Sequence, residues 1–261
     1  MRRKIIMWAV IFVFSISLLS GCDAQKAKED SALYQISTLQ ALMVGAYDGE
    51  VTSGHMKHYG DTGLGTFDDL DGEMIVIDGK VYRASVDGSV VEVEDSETIP
   101  FANVAFLTTQ EPIALSFDGG YDGLKAALDE MFPHQNVPEM FSISGTFTNI
   151  EYRSVPEQHE PFPALTEVVK HQAIFKKETI SGTIIGFRFP AFFDEMNVTG
   201  YHLHFISDDR QNGGHLLDVA SGQTWVLAQS LDELSLVFPD NLRDIDMSGT
   251  SDSDVKAVES K

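Results

Sequence analysis

The sequence predicts an α+β protein with an N-terminal α+β half and a smaller, β-rich C-terminal half. Three observations carry this expectation. Segments with strand character outnumber segments with helical apolar spacing through most of the chain. Asp78-Gly79 lies between two β-rich arms, the signature of a two-residue hairpin. Pro156, Pro161 and Pro163 interrupt the pattern, and strand-like segments dominate from Thr179 onward.

Composition bounds the function classes. The 261 residues suffice for one large domain or two small ones. The content of 43% hydrophobic and 22% charged residues is that of an ordinary globular chain, so wholesale disorder, collagen and a polytopic membrane protein are excluded. A single cysteine excludes a disulfide framework and a thiolate zinc site. The net charge of −22 argues against a nucleic-acid partner, which needs clustered Lys and Arg.

Residues 1–21 read as a signal peptide. Arg2, Arg3 and Lys4 precede an uncharged run over 5–19, too short to span a bilayer comfortably and right for a signal core. The run ends in Leu19-Ser20-Gly21-Cys22, which resembles the bacterial lipoprotein cleavage box. A lipid anchor at Cys22 is therefore expected, and with it export to the outer face of the cytoplasmic membrane. The alternatives are secretion after ordinary cleavage and an uncleaved anchor, with an incidental cysteine in either case. Residues 22–32 read as a polar tether.

The elements follow in order. Leu39, Leu42, Met43 and Ala46 have helical spacing, and Ser37 is a plausible N-cap. The Gly-rich stretch 60–72 suggests tight turns or close backbone approach. The hairpin occupies 73–84, with further strands at 90–93 and 102–107. A short amphipathic helix is expected over 123–132 and one long strand over 141–153. The prolines then mark the boundary between domains at 33–160 and 161–245. Residues 165–176 have helical spacing, followed by strands at 180–189, 201–206, 215–220 and 224–229. The polar tail after Arg243 is expected to fray.

The chemistry lies in the histidines. In YHLHFISD, His202 and His204 project from one face of a strand while Leu203 and Phe205 face a core. The turn-rich residues 208–214 would fold His215 back beside them, giving H-x-H-x10-H. Three imidazoles with an open fourth position suit a catalytic metal. Zn2+ is the first expectation, with Fe2+, Ni2+ and Co2+ also compatible. Paired histidines on a solvent face are the bland alternative. His55, His58, His134, His159 and His171 are scattered and read as surface residues. Glu73, Glu151, Glu195, Asp208, Asp209, Arg153 and Arg188 compete as charged companions. Glu73 stands out where a Gly-rich loop meets a strand, and Arg153 at the end of a long apolar strand.

Three blocks resemble the bacterial α-acetolactate decarboxylase family. They are GLGTFDDLDGEM at 63–74, FSISGTFTNIEYRSVP at 141–156, and the stretch 182–218 that contains all three histidines. The resemblance implies two α+β domains, each built on a mixed sheet, with a metal site in the cleft between them. It implies a homodimeric zinc carboxy-lyase that converts 2-acetolactate to acetoin and CO2, the metal stabilising an enediolate. His202, His204 and His215 match the zinc ligands, and Glu73 and Arg153 the active-site glutamate and arginine. A tail glutamate also belongs to the family's site, and Glu259 in the segment 246–261 is the natural candidate. The rival readings are another three-His metalloenzyme, a hydrolase or hydratase, and a non-catalytic lipoprotein that binds metal or a small ligand.

Overall fold

The computed structural model describes residues 31–108, 111–247 and 252–259. The leader, Cys22 and most of the tether lie outside these residues. The chain begins with β1 (Ala32–Ile36), α1 (Leu39–Met43), β2 (Val51–Thr52), α2 (Ser53–Met56), β3 (Thr62–Thr66), β4 (Glu73–Ile77), β5 (Lys80–Ala84), β6 (Val90–Glu92), β7 (Thr98–Ile99) and β8 (Phe101–Ala105). It continues with β9 (Ile113–Phe117), α3 (Gly120–Met131), β10 (Glu139–Ser154), α4 (Leu165–Val168), β11 (Ala173–Phe189), β12 (Gly200–Ser207), β13 (Gly213–Asp218), β14 (Ser221–Ser230), β15 (Glu233–Val237) and α5 (Asp252–Glu259).

Two large sheets result, in a sheet-rich α+β fold. The first runs β15-β1-β8-β3-β4-β5-β6, and the second β11-β12-β13-β10-β14-β9 with β10 also paired to β11. The first sheet is mixed, because β15 joins β1 in parallel. The second departs from the mixed sheet expected: its recorded pairings are all antiparallel. Hairpin connections join β11 to β12 and β12 to β13, and β13 and β14 both run antiparallel to β10.

The hairpin forms where the sequence places it. β4 and β5 pair from Glu73↔Ala84 to Ile77↔Lys80. Asp78 (φ 53) and Gly79 (φ 73) take the left-handed conformation that a twisted two-residue turn requires. The first helix is shorter than expected, and its N-cap is Thr38, whose hydroxyl accepts from Ala41 N at 3.2 Å. The expected helix over 165–176 stops early. After one helical turn and a 3₁₀ turn to His171, Gln172 is extended and β11 begins at Ala173. Ile174 and Phe175 favour a strand, and pairing with Arg153 and Tyr152 of β10 overrides the local helical spacing. The prolines do not separate the two sheets. They lie in the connection between β10 and β11, which pair along nearly their whole length. The chain passes to the second sheet after β8, and β15 returns to the first.

The sheets meet face to face. Ile75, Ile77 and Tyr82 of the first sheet pack with Ile185 and Ile206 of the second. Leu64 packs with Met140 and Phe187 in the same layer. On the other side of the second sheet, Leu124 and Leu128 of α3 cover Phe141, Ile143, Phe147 and Phe205. No helix among the described residues is long and apolar enough to cross a membrane.

Candidate metal centre

Strand alternation aims the histidines. On β12, Leu203 and Phe205 enter the core under α3, so His202 and His204 face the first sheet. β13 pairs His204 directly with His215. The three ring centroids lie 5.2, 5.2 and 5.3 Å apart. One nitrogen from each ring lies within 4.8 Å of the others. β13 also pairs His215 with Arg153 of β10. Gly214 makes that approach possible: its φ is 149°, and a side chain there would strike the Arg153 carbonyl.

The first sheet supplies the opposing wall. Glu73 opens β4, and its Oε2 is 3.6 Å from His204 Nε2. Its Oε1 is 3.8 Å from Arg153 Nε. His204 Nδ1 lies 2.8 Å from the Met74 carbonyl, which can only accept, so Nδ1 carries the hydrogen and Nε2 is free to bind a metal. Gln172 Oε1 accepts from Arg153 Nη1 at 3.1 Å. From the chain's other end, α5 brings Glu259 to 3.5 Å from His215 Nε2 and 4.0 Å from His202 Nε2. Its neighbour Val258 is only 1% exposed, packed among Leu39, Leu42 and Leu165. Within the tail expected to fray, Asp252–Glu259 is thus a docked helix, held by this apolar contact.

Burial sets the charge states. It pushes His202 down to about 3, helped by the Arg153 charge. It holds His204 and His215 well below the ordinary imidazole range, with the neighbouring ring His202 and the charge of Arg153 adding to it. All three rings are therefore neutral. Burial pushes Glu73 up to about 7, opposed by Arg153 and reinforced by Glu259. Glu259 likewise rises to about 7, again opposed by Arg153. His204 Nε2 and Glu259 Oε2 are buried without hydrogen-bond partners. Orphaned acceptors of this kind are costly in an apolar interior, and a divalent cation would satisfy both. Three neutral imidazoles beside carboxylates fit such an ion.

The sequence reading and the structure agree on which residues meet. His202, His204, His215, Glu73, Arg153 and Glu259 line one cavity. Among the competing charges, Arg188 is buried elsewhere, paired with Glu139 and Asp129. Glu151 pairs with Lys176, while Glu195, Asp208 and Asp209 are exposed. The five scattered histidines are at the surface. His159 does approach Asp69 and Glu157 closely enough to share an ion, in a partly exposed group away from this site. Thr66 was not singled out from sequence. It pairs with Glu73 across β3–β4 and lines the cavity, its hydroxyl donating to Gly72 O at 2.7 Å. Its place within the block at 63–74 was the available signal. The apolar half of the cavity, with Leu39, Leu70, Phe101, Val155 and Leu165, could not be assembled from sequence.

Fold and site together define a sheet-rich α+β protein with three clustered histidines that could hold a metal ion. Comparison with known proteins gives the family. The family model described as alpha-acetolactate decarboxylase matches residues 33–246, and this chain belongs to that family of carboxy-lyases. It is 36% identical to the alpha-acetolactate decarboxylase of Brevibacillus brevis over 88% of this chain and 82% of that one. It is 41% identical to the Methanosarcina mazei enzyme over 72% of this chain, spanning 65% of that protein's length. The crystal structure of alpha-acetolactate decarboxylase from Bacillus subtilis strain 168 superposes with a TM-score of 0.85 at 32% identity, covering 88% of this chain and all of that one.

Proposed function

We propose that this protein is a zinc-dependent acetolactate decarboxylase that converts 2-acetolactate to acetoin and CO2. The carrying observation is the convergence of three neutral imidazoles, two buried carboxyls and one buried guanidinium on a single cavity in a chain of this family. Zn2+ held by His202, His204 and His215 would supply Lewis-acid stabilisation of negative charge on substrate oxygens. The protein's own groups do the rest. Arg153 presents a planar fork to the substrate carboxylate or to a developing oxyanion. The bond to the carboxylate breaks, CO2 leaves, and the electron pair passes toward the adjacent ketone oxygen. A carbon must then be protonated. Glu73 and Glu259, carboxyls that line this cavity, are placed to carry that proton. Apolar walls keep water from competing for that step.

We read the two sheets as the cores of two domains with the metal in the cleft between them. We read the working form as a homodimer anchored through a lipid at Cys22 and exported. The motif Leu19-Ser20-Gly21-Cys22 supports the anchor. Labelled fatty acid that fails to enter the wild-type chain, or enters Cys22→Ala equally, would remove it. Sedimentation of the purified chain as a monomer would remove the dimer. The central test is a colour assay for acetoin after addition of acetolactate, with metal analysis of the same sample. Wild type should form acetoin and carry about one zinc per chain, and His204→Ala should lose both. A wild-type protein that holds zinc but forms no acetoin would favour the other three-His readings.

A further inference from the structure

Arg153 and Arg188 are both buried in the second sheet, and they are held in different ways. Arg188 is tied down by charge. Its Nη1 donates to Asp129, and its Nη2 to Glu139 and to the carbonyls of Phe132 and His134. Arg153 has no carboxylate in hydrogen-bond contact among the described residues. Glu73 Oε1 lies 3.8 Å from its Nε, which is buried without a hydrogen-bond partner. Among the described residues the Arg153 guanidinium has one acceptor, the neutral amide of Gln172, whose Oε1 is 3.1 Å from Nη1. Gln172 does not itself line the cavity that Arg153 lines. The turn after α4 fixes where Gln172 stands. Its N–H donates to Val169 O at 3.3 Å, and the chain runs extended from there into β11. Ile174 pairs with Arg153, so Gln172, two residues earlier, is the diagonal neighbour of Arg153, within reach of a long side chain. Leu165 and Val168 of the same segment pack in the cluster that receives Val258, which anchors the segment.

We propose, on the decarboxylase reading, that Gln172 is a positioning residue: it aims the Arg153 guanidinium and leaves its charge uncancelled for the carboxylate of the substrate. A guanidinium carries its N–H donors in a rigid fork, so one bond to Nη1 restrains the whole plane and leaves the other donors free. A carboxylate at the same place would restrain the plane too. It would also form a charge-assisted pair with the fork, as Glu139 and Asp129 do at Arg188. An incoming anion would then have to displace that pair. An amide oxygen accepts the hydrogen and brings no charge. A buried charge without a counter-ion in contact is costly, and a carboxylate entering the cavity relieves that cost. Arg153 therefore favours an anion over a neutral molecule of the same shape, and the uncharged side chain at 172 preserves this preference.

The test compares wild type, Gln172→Met and Gln172→Glu, each as the full chain loaded with zinc. Methionine keeps the bulk and removes the acceptor. Glutamate keeps the acceptor and adds the charge. The substrate's carboxylate leaves as neutral CO2, so its ion pair with Arg153 belongs to the bound substrate and is read in KM. KM for acetolactate should rise about tenfold in Gln172→Met, the scale of one hydrogen bond to a charged group, with kcat and zinc content little changed. It should rise further in Gln172→Glu. A neutral competitor supplies the readout that a merely structural role would not separate. Acetolactate with a methyl group in place of its carboxylate, 3-hydroxy-3-methylbutan-2-one, keeps the hydroxyl and the ketone and carries no charge. Its inhibition constant should be the same in all three proteins. A wild-type KM in either variant would overturn the inference. So would a KM and an inhibition constant that rise together, which would mark Gln172 as packing for the whole cavity. Gln172→Met decides the matter if the glutamate variant does not fold. A wild type that forms no acetoin would instead remove the decarboxylase reading, and this inference with it.

Discussion

Glu73 is held between opposing influences, a buried setting that favours its neutral form and an Arg153 guanidinium that favours its charge. Burial wins, which leaves a proton on the carboxyl up to about pH 7. Replacing it by an isosteric amide keeps the packing and removes the proton. For Glu73→Gln we expect acetoin formation to fall about 10²–10⁴-fold with zinc content unchanged, the range typical of a lost general acid–base. A variant that works at the wild-type rate and gives the same acetoin enantiomer would take Glu73 out of the chemistry. The same charge states govern metal uptake. The three rings are already neutral and release nothing. Glu73 and Glu259 are mostly protonated below their raised values and ionised above them, and a bound cation favours the ionised form. Zinc uptake by metal-free protein should therefore release up to one proton per carboxyl below about pH 6, and almost none above about pH 8.5. Calorimetry in buffers of different ionisation enthalpy measures this. Release that grows with pH would contradict the assignment.

At the scale of elements, the site depends on two close approaches. The β13 strand nears β10 at Gly214, beside both His215 and Arg153. Gly214→Ala should cost about 1–3 kcal/mol, as overpacking does, and lower zinc occupancy as well as Tm. The second approach is the docking of α5. Burying Val258 contributes about 1.5–3 kcal/mol, and the helix packs chiefly against α4 and the apolar cluster around Leu39. Val258→Asp should release the helix and carry Glu259 out of the cavity. Activity should fall to the level of Glu259→Gln, and Tm should fall by no more than about 3–12 °C, at about 2–4 °C per kcal/mol, because neither sheet loses a strand. A Val258→Asp enzyme with full activity would show that Glu259 has no part in the reaction.

For the whole molecule, a metal at this site would link elements that the chain order keeps apart. The three histidines stand on β12 and β13, Glu73 on the opposing sheet, and Glu259 on the last helix. An ion bound only by this folded arrangement stabilises it by mass action, about 4 kcal/mol at a thousandfold excess over Kd. For a chain of this size that is on the order of 8–16 °C in Tm, at about 2–4 °C per kcal/mol. Calorimetric scans with zinc and with chelator should differ by that amount, and His204→Ala should abolish the difference. Equal Tm values with and without zinc would mean that no ion occupies the junction.

Much of this was legible in the sequence because it depends on short-range periodicity. The hairpin at Asp78-Gly79, the paired projection of His202 and His204, and the return of His215 all follow from alternation and turn chemistry within a few residues. The blocks around Glu73 and Arg153 could be recognised, but only as a resemblance. What the sequence left open depends on long-range pairing. Residues 173–176 carry helical spacing and become strand because β10 lies beside them. The prolines look like a domain boundary and instead sit in a loop inside one sheet. The tail looks polar and frayed, yet Val255 and Val258 pack residues 252–259 against the apolar cluster around Leu39. The sequence by itself determined which residues are able to bind a metal and which way each points from its own strand. Only the tertiary structure decided that two sheets and a terminal helix close around them, because burial, and with it the neutral imidazoles and raised carboxyls, comes from surfaces that meet across the fold and not from neighbours along the chain.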